Sequence, residues 1–506
     1  TLFRSALWGF GLLSLQGFTL EPLALIALFP LCIRGVALVI YWRSSLTGAP
    51  APGPSLFTQK ANRDQALEHT AATLGRPLTI ALCLDGIALF TLTWSDVPAL
   101  QALGYLGVGW LAGLLISLWL IFPLLSTVGA LPSRIRTQPW GTRLALRGAT
   151  FLRALLRLPV VSYGGIGIIT LLGLGAAGQL QAGREMLGTT LFYASHPFNR
   201  AFSLVNDKFI GVNQLIVVAQ APSEAAFRDP KALDALEAFQ HFMAEDNQFG
   251  GVLAITNLTK SLTRMFHEDI PKWEIIPDDI NSTGQVIFRI ISSAATPSEV
   301  ERFLSTDYHT TTVTFFYRNY SPDILNRILT RAKAFTAQQQ NHIVQFRVGG
   351  GILGVLAAVH AAVEHAFWRM MGAVLLLAGI GGFFLNNSFR SLWKLLAGVF
   401  LAQAMLLSLL WLGDIDLNMY TLPAIVLSVG TVLIPLSFGL SDSMDAQLHA
   451  SSCTAVGLTT AAAAAVWLLS PLRLQTEMGV FFIVLAILYT VVPLGLRSGP
   501  EMEASA

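Results

Sequence analysis

Long apolar runs separated by short polar turns occupy both ends of the chain, and a mixed polar segment lies between them. A helix that crosses a bilayer needs about 20 apolar residues, or a few less where the membrane is thin. Roughly ten stretches approach that length. They are Ala6–Phe18, Pro22–Trp42, Pro77–Trp94, Leu103–Val128, Leu158–Ala177, Met370–Phe384, Leu392–Leu412, Tyr420–Leu440, Cys453–Leu469 and Met478–Leu496. The first is short for a full span. The run after Cys453 is rich in alanine and only weakly hydrophobic, which predicts shielding by neighbouring helices. The pattern divides the chain into an incomplete first membrane set (1–128), a basic linker (129–157), a span (158–178), a water-exposed domain (179–368), a second membrane set (369–497) and a tail (498–506).

The polar segment changes period. Leu215–Ala219 predicts a strand, and Pro230–Glu245 a helix with Leu233, Leu236, Phe239 and Phe242 on one face. Val286–Ile291 predicts a second strand, followed by a helix from Pro297. Thr311–Tyr317, β-branched and aromatic, predicts a third strand, and Ser321–Thr336 a helix opened by Ser-Pro-Asp. Ile343–Val348 predicts a last strand ending at Gly349–Gly351. Alternating units of this length suggest a split βαβ, ferredoxin-like sandwich. The expected fold class is therefore a polytopic α-helical membrane protein with an inserted α+β domain.

Composition agrees with that division. Of 506 residues, 53% are hydrophobic and only 12% are charged, against about 25% charged in a soluble domain. Net charge is +2, so nucleic acid is not an evident partner. Basic loops set the orientation. Arg134, Arg136, Arg143, Arg147, Arg153 and Arg157 lie in one linker, Arg43, Lys60, Arg63 and Arg76 in another, and Arg390 and Lys394 in a third. Alternation puts all three on one side, read as cytoplasmic, and the α+β domain on the opposite, periplasmic side. Asp442, Asp445 and Arg473 run against this rule. Cys32, Cys83 and Cys453 all fall in apolar stretches, read as small fillers, and support neither a disulfide framework nor a zinc site.

A weak internal repeat relates Leu15–Gly35 to Leu412–Gly430: a short span, glycine, a polar turn, proline and an apolar run to glycine. With it go Phe209–Val217, Asp229-Pro230, Leu258–Asp278 with His267-Glu268, and Phe389–Ser391. The closing run has Gly457-Leu458-Thr459-Thr460, Trp467, Ser470-Pro471-Leu472 and Gln475-Thr476-Glu477-Met478-Gly479. In their order along the chain these passages resemble the resistance-nodulation-division (RND) exporters, in particular the hydrophobe/amphiphile efflux-3 branch with MMPL-like membrane domains. The resemblance starts at the third of the usual twelve spans. Because the chain opens on Thr1, we expect a further span and outer domain upstream. The resemblance implies an inner-membrane exporter of hydrophobic or amphiphilic, lipid-like molecules, driven by proton flux, without a cofactor. Implied partners are the bilayer, the substrate, further copies of the chain and periplasmic or outer-membrane accessory proteins. The alternative is a degenerate relative that binds lipid or a partner as a sensor or scaffold.

Many relatives keep an acidic motif midway along two spans. Counting from Gly430, its positions fall at Ile434 and Pro435; counting from Gly35, Ala37–Val39 holds no acid. Proton carriage at membrane depth needs a titratable group. The intramembrane charges are Arg34 and Asp85. They could pair across a helix interface, either as a fixed pair that orients two helices or as a displaced proton relay. Ser428 and Thr431 line one helix as substrate or helix-contact candidates, with Ser437 beside them, and Pro435 predicts a kink. Glu21 and Glu477, at span ends, read as caps or anchors. His267, Glu268, Asp269, Asp278 and Asp279 match no metal-ligand spacing, and no nucleophile constellation suggests an enzyme.

Overall fold

Inside an apolar run the backbone amides have no water to bond, so the chain must satisfy them internally, and helices result. The computed structural model describes residues 2–19, 22–48, 58–124, 147–148, 150–152, 154, 158–179, 188–189, 191–319, 321–338, 343–413, 415, 417–440 and 446–497. The chain forms two units, Thr1–Ala182 with Ala362–Ala506, and Gly183–Ala361. The helical unit begins with α1 (Leu2–Leu15), α2 (Pro22–Gly48), α3 (Thr58–Phe90), α4 (Pro98–Ile116) and α5 (Pro159–Gln179).

The second unit contains α6 (Pro197–Lys208), β1 (Asn213–Gln220), α7 (Pro230–Ala244), β2 (Phe249–Leu253), α8 (Ile255–Phe266), α9 (Ile280–Ser293), α10 (Pro297–Glu301), β3 (Thr310–Tyr317), α11 (Pro322–Gln338) and β4 (Gln345–Gly350). Its sheet has the order β2-β3-β1-β4, and each neighbouring pair is antiparallel. Alternation decides which face is buried: Leu215, Val217 and Ala219 of β1 and Val313, Phe315 and Tyr317 of β3 point inward. Leu215 lies opposite Phe315 and Val217 opposite Val313. Against them α7 lays Leu233, Leu236, Phe239 and Met243, with Phe239 edge-on to Phe315 at 5.4 Å.

Two features differ from the sequence expectation. Val286–Ile291 is helical and lies inside α9. The Asp279 carboxylate caps that helix by accepting from Asn281 N and Ser282 N, and Thr283, Val286 and Ile287 form its buried stripe. The β-branched run therefore serves a helical period. The strand between the first and third is instead Phe249–Leu253, whose Gly250–Gly251 pair fits against Ile210, where a side chain would collide.

The chain then returns to the helical unit through α12 (Gly351–Asn386), followed by α13 (Phe389–Leu412), α14 (Thr421–Leu440), α15 (Ala446–Ala465) and α16 (Arg473–Arg497). Among the described residues, 8 helices are long and apolar enough to cross a membrane, against the roughly ten expected. The two runs outside that count are Ala6–Phe18, in the 14-residue α1, and Leu158–Ala177, whose apolar part is Gly164–Gln179. Gly109 and Gly113 of α4 let α1 approach closely: an added Cβ would lie 2.7 Å from Trp8 O and 2.8 Å from Ser5 Cα. The most apolar window of α14 is 94% buried, against 33% for α12. α14 packs on α2, α3, α13, α15 and α16, so it is the axial helix of the unit. Arg134, Arg136, Arg143, Arg153, Arg157, Glu21, Asp442 and Asp445 lie outside the described residues.

In the sheet-containing unit two ion pairs, Arg331 with Glu245 and Arg327 with Asp246, tie α11 to the turn after α7. Arg327 Nε donates to Asp246 Oδ2 at 2.9 Å, and Gln248 N donates to Asp246 Oδ1 at 2.9 Å. Burial pushes the Asp246 carboxyl up, but these bonds outweigh it and hold it below the usual carboxylate range. Burial, with the Asp246 charge nearby, pushes the Tyr317 hydroxyl well up. Asp246 is 3% exposed at its side chain, so removing its partner strands a buried charge. We expect Arg327→Ala to destabilise the unit by about 1–3 kcal/mol at neutral pH. A carboxyl whose folded pKa is lowered stabilises above its unfolded value of about 3.9 and loses that effect as pH falls through the folded value. The difference in thermal midpoint between wild type and Arg327→Ala, followed by circular dichroism on the full chain, should therefore narrow below about pH 4.

Candidate functional site

Charge at the centre of an apolar helix bundle persists only where every donor and acceptor is met. The structure brings together Arg34 of α2 and Asp85 of α3, both 0% exposed. The contact is bidentate: Arg34 Nε donates to Asp85 Oδ2, and Nη2 donates to Oδ1 at 2.9 Å. Two backbone carbonyls complete the shell. Arg34 Nη1 donates to Pro30 O at 3.1 Å and Nη2 to Leu427 O at 2.7 Å. Four of the five N–H groups of the guanidinium are thus used, on three helices: α2 itself, α3 and α14.

α14 must come close to allow this, and Gly430 makes it possible. A Cβ there would lie 1.7 Å from Asp85 Oδ1 and 2.3 Å from Arg34 Nη2. Gly430 is the glycine from which the missing acidic motif was counted; the carboxylate comes from α3 and enters the space where Gly430 has no side chain. One turn further, Ile434 is 0% exposed.

Of the hydroxyls singled out from the sequence on α14, those of Ser428 and Thr431 are buried but bond locally. Ser428 Oγ donates to Ile425 O at 2.5 Å and Thr431 Oγ1 to Ser428 O at 2.6 Å. Both hydroxyls are used within their own helix. Pro435 lies inside α14, so the Thr431 carbonyl lacks its usual donor four residues on. Glu477 accepts from Arg473 Nε at 2.6 Å, one turn apart on α16. In the second unit His267 stacks on Trp273 at 3.9 Å, Asp269 pairs with Arg264, and Asp279 caps α9. Each is engaged in holding its own loop.

Two elements of the site were not evident from the sequence. Pro30 and Leu427 act through backbone carbonyls, which no residue type announces. Cys453, read as a filler, is bonded: Tyr41 Oη lies 3.1 Å from its Sγ, and His449 Nε2 lies 3.6 Å from the same sulfur. The signal available was a histidine and a tyrosine in otherwise apolar helices.

No protein-family model matches the chain, and no curated protein matches it. Solved structures do match. One is the cryo-EM structure of the hedgehog release protein Disp from the water bear Hypsibius dujardini, with a TM-score of 0.58 and 12% identity. The match covers 94% of this chain and 62% of that one, so the chain spans somewhat under two thirds of that protein's length. At that identity the likeness is one of fold alone: this chain shares a multi-pass helical architecture with that protein.

The geometry makes Gly430 the most restrictive position of the site. We expect Gly430→Ala to separate α14 from the pair and to destabilise the helical unit by about 3–5 kcal/mol, the penalty for breaking a buried pair. Gly372, with nothing within 4 Å of an added Cβ, provides the control. Thermal unfolding of the detergent-solubilised protein should show a lowered midpoint for Gly430→Ala and an unchanged one for Gly372→Ala.

Proposed function

We propose that the protein is a multi-pass RND-type transporter that moves hydrophobic or amphiphilic, lipid-like molecules out of the cell, with proton binding at Asp85 as the coupling event. The reading places it in the inner membrane of a bacterium, within the MMPL-like branch, with the sheet-containing unit on the periplasmic side. Fold likeness to a release protein supports the transport part. The sheet order β2-β3-β1-β4, with α7 and α11 each joining two strands, supports a ferredoxin-like substrate-handling domain.

The observation that carries the coupling role is the buried bidentate pair between Arg34 and Asp85, bridged to α14 through Leu427 O. With Asp85 ionised, α2, α3 and α14 are held together by charge-assisted bonds, which are stronger than neutral ones. Proton binding neutralises the carboxylate and leaves the guanidinium charge with two carbonyls. That unbalanced state favours rearrangement of α3 against α2 and α14, and the movement is transmitted along the chain to the substrate-handling domain. Proton release restores the first state. The device has two arrangements separated by one proton, which a coupled transporter needs.

A second reading, a lipid-binding sensor or scaffold without pumping, is favoured by one observation. The pair is so fully bonded that it can act as a permanent helix lock. Transport in proteoliposomes separates the two. With a fluorescent amphiphile and an imposed pH gradient, Asp85→Asn should abolish gradient-driven movement per unit of folded protein, the normalisation being needed because loss of one partner also lowers stability. A double variant Arg34→Met, Asp85→Leu should regain much of the stability that either single change loses, yet remain inactive. Wild-type transport in Asp85→Asn would remove Asp85 from the mechanism. Transport retained in the stable double variant would reduce the pair to a lock.

A further inference from the structure

The half of the helical unit toward Arg43 of α2 holds a second set of buried polar side chains, separate from the pair. Tyr41, Cys453 and His449 are each 0% exposed. The Tyr41 hydroxyl and the Cys453 thiol lie 3.1 Å apart, and either atom can be the donor. Cys453 Sγ is 3.6 Å from His449 Nε2 and 3.9 Å from Nδ1. Phe438 stacks on the Tyr41 ring at 4.4 Å and fixes its direction. Next to Phe438, the Ser437 hydroxyl is buried without a hydrogen-bond partner among the described residues, and the Tyr489 hydroxyl is buried beside that of Tyr41.

Their placement relative to the pair is regular. Tyr41 follows Arg34 by seven residues, which is two helical turns and about 10 Å, nearly on the same face. Ser437 follows Gly430 by the same interval on α14. Leu38 and Ile434, both 0% exposed, fill the step between. At the far end Gly439 is partly exposed, and a Cβ there would lie 3.3 Å from His449 Nε2. The imidazole is therefore reached past a residue with no side chain. The helices around it carry further titratable groups: Cys32, Arg34, Tyr41 and Arg43 of α2, Glu68, His69, Arg76, Cys83 and Asp85 of α3, Cys453 of α15, and Arg473, Glu477 and Tyr489 of α16; the described residues of α14 contribute hydroxyls and no charge.

We propose that His449, Cys453 and Tyr41 form the branch by which protons pass between water on the Arg43 side and Asp85. The proposal rests on the proton-linked reading of the pair. A proton from water converts neutral His449 to imidazolium. The imidazolium gives a proton to Cys453 Sγ as the thiol proton passes to Tyr41 Oη. The tyrosine proton then passes, through water held against Ser437, to the Asp85 carboxylate. Cys453 and Tyr41 each gain one proton and lose one, no electrons change hands, and the net result is one proton moved from water to Asp85. Rotation of the O–H and S–H bonds resets the chain. Because Leu38 and Ile434 close the step when the helices are packed, the branch conducts only after α2 and α14 part enough to admit water. This closure prevents leakage between cycles.

The experiment reads proton flux with a dye enclosed in proteoliposomes carrying the full chain and a fluorescent amphiphile as the driven substrate. Tyr41→Phe keeps the ring and loses only the hydroxyl. It should lower substrate-driven proton flux at least about tenfold, in the range general acid–base groups contribute, with an unchanged thermal midpoint. Cys453→Ala and His449→Gln should do the same. Cys453→Ser, which keeps a hydrogen-bonding proton, should retain flux within about threefold of wild type, a rescue that a purely packing role does not give. Wild-type flux in Tyr41→Phe and Cys453→Ala, alongside lost flux in Asp85→Asn, would overturn the branch and leave the pair's role standing. Unchanged flux in Asp85→Asn would overturn both.

Discussion

The helical unit is organised around one electrostatic constraint: a guanidinium cannot remain at the centre of an apolar bundle unless its donors are met there. Burying an ion pair is expensive and is offset only by good geometry and further hydrogen bonds. Arg34 meets that condition with one carboxylate and two carbonyls. The consequences extend to neighbouring positions. Gly430 has to lack a side chain, because Asp85 occupies that space. Pro30 offers its carbonyl one turn before Arg34, on the same face of α2. Leu427 offers its carbonyl from α14, which fixes the depth of that helix relative to α2.

The axial position of α14 follows from the same constraint. A helix whose backbone takes part in the site cannot also face lipid, and α14 is accordingly the most enclosed of the candidate spans. Two of its hydroxyls, Ser428 and Thr431, turn back on their own carbonyls, which lets small polar residues sit in an apolar interior without needing partners from other helices. Pro435 then removes one backbone bond just below the pair. The helix is thus tightly held around Gly430 and locally weakened a turn later, the arrangement expected of an element that can move about a fixed point. Tyr41 stacks on Phe438 below that weak place.

Features that follow from one residue's own chemistry were legible in the sequence. Asp85 and Arg34 stand out because an ionised side chain in an apolar run has few places to go. β3 was legible because Thr311–Tyr317 is β-branched and aromatic throughout, and α7 because its apolar stripe follows Asp229-Pro230, a cap and a first-turn proline. What depends on a neighbour was not. Val286–Ile291 has strand composition, yet the Asp279 cap and the stripe Thr283, Val286, Ile287 make it helical. β2 contains two adjacent glycines, which weaken a strand's own preference, and it is a strand because β3 pairs with it along one edge and Ile210 covers it. Tyr41 and Cys453 stand 412 positions apart, so nothing local tells a bonded thiol from a filler. The carbonyls of Pro30 and Leu427 belong to this group as well, since every residue has one.

The distinction between a lock and a relay comes down to what happens when Asp85 is neutral. A lock needs that state never to form. A relay needs the state to be rare but reachable, and it needs somewhere for the stranded guanidinium to remain bonded. Pro30 O and Leu427 O meet the second requirement, because they hold Arg34 from two helices independently of Asp85. A lock and a two-state device both need these carbonyls while the pair is formed, and a two-state device needs them again once the carboxylate is neutral. The buried Tyr41–Cys453–His449 set bears on the first requirement. A lock does not call for a titratable imidazole two turns below it, hydrogen-bonded through groups that can each accept and donate. Both features fit the proposal of a pair that opens.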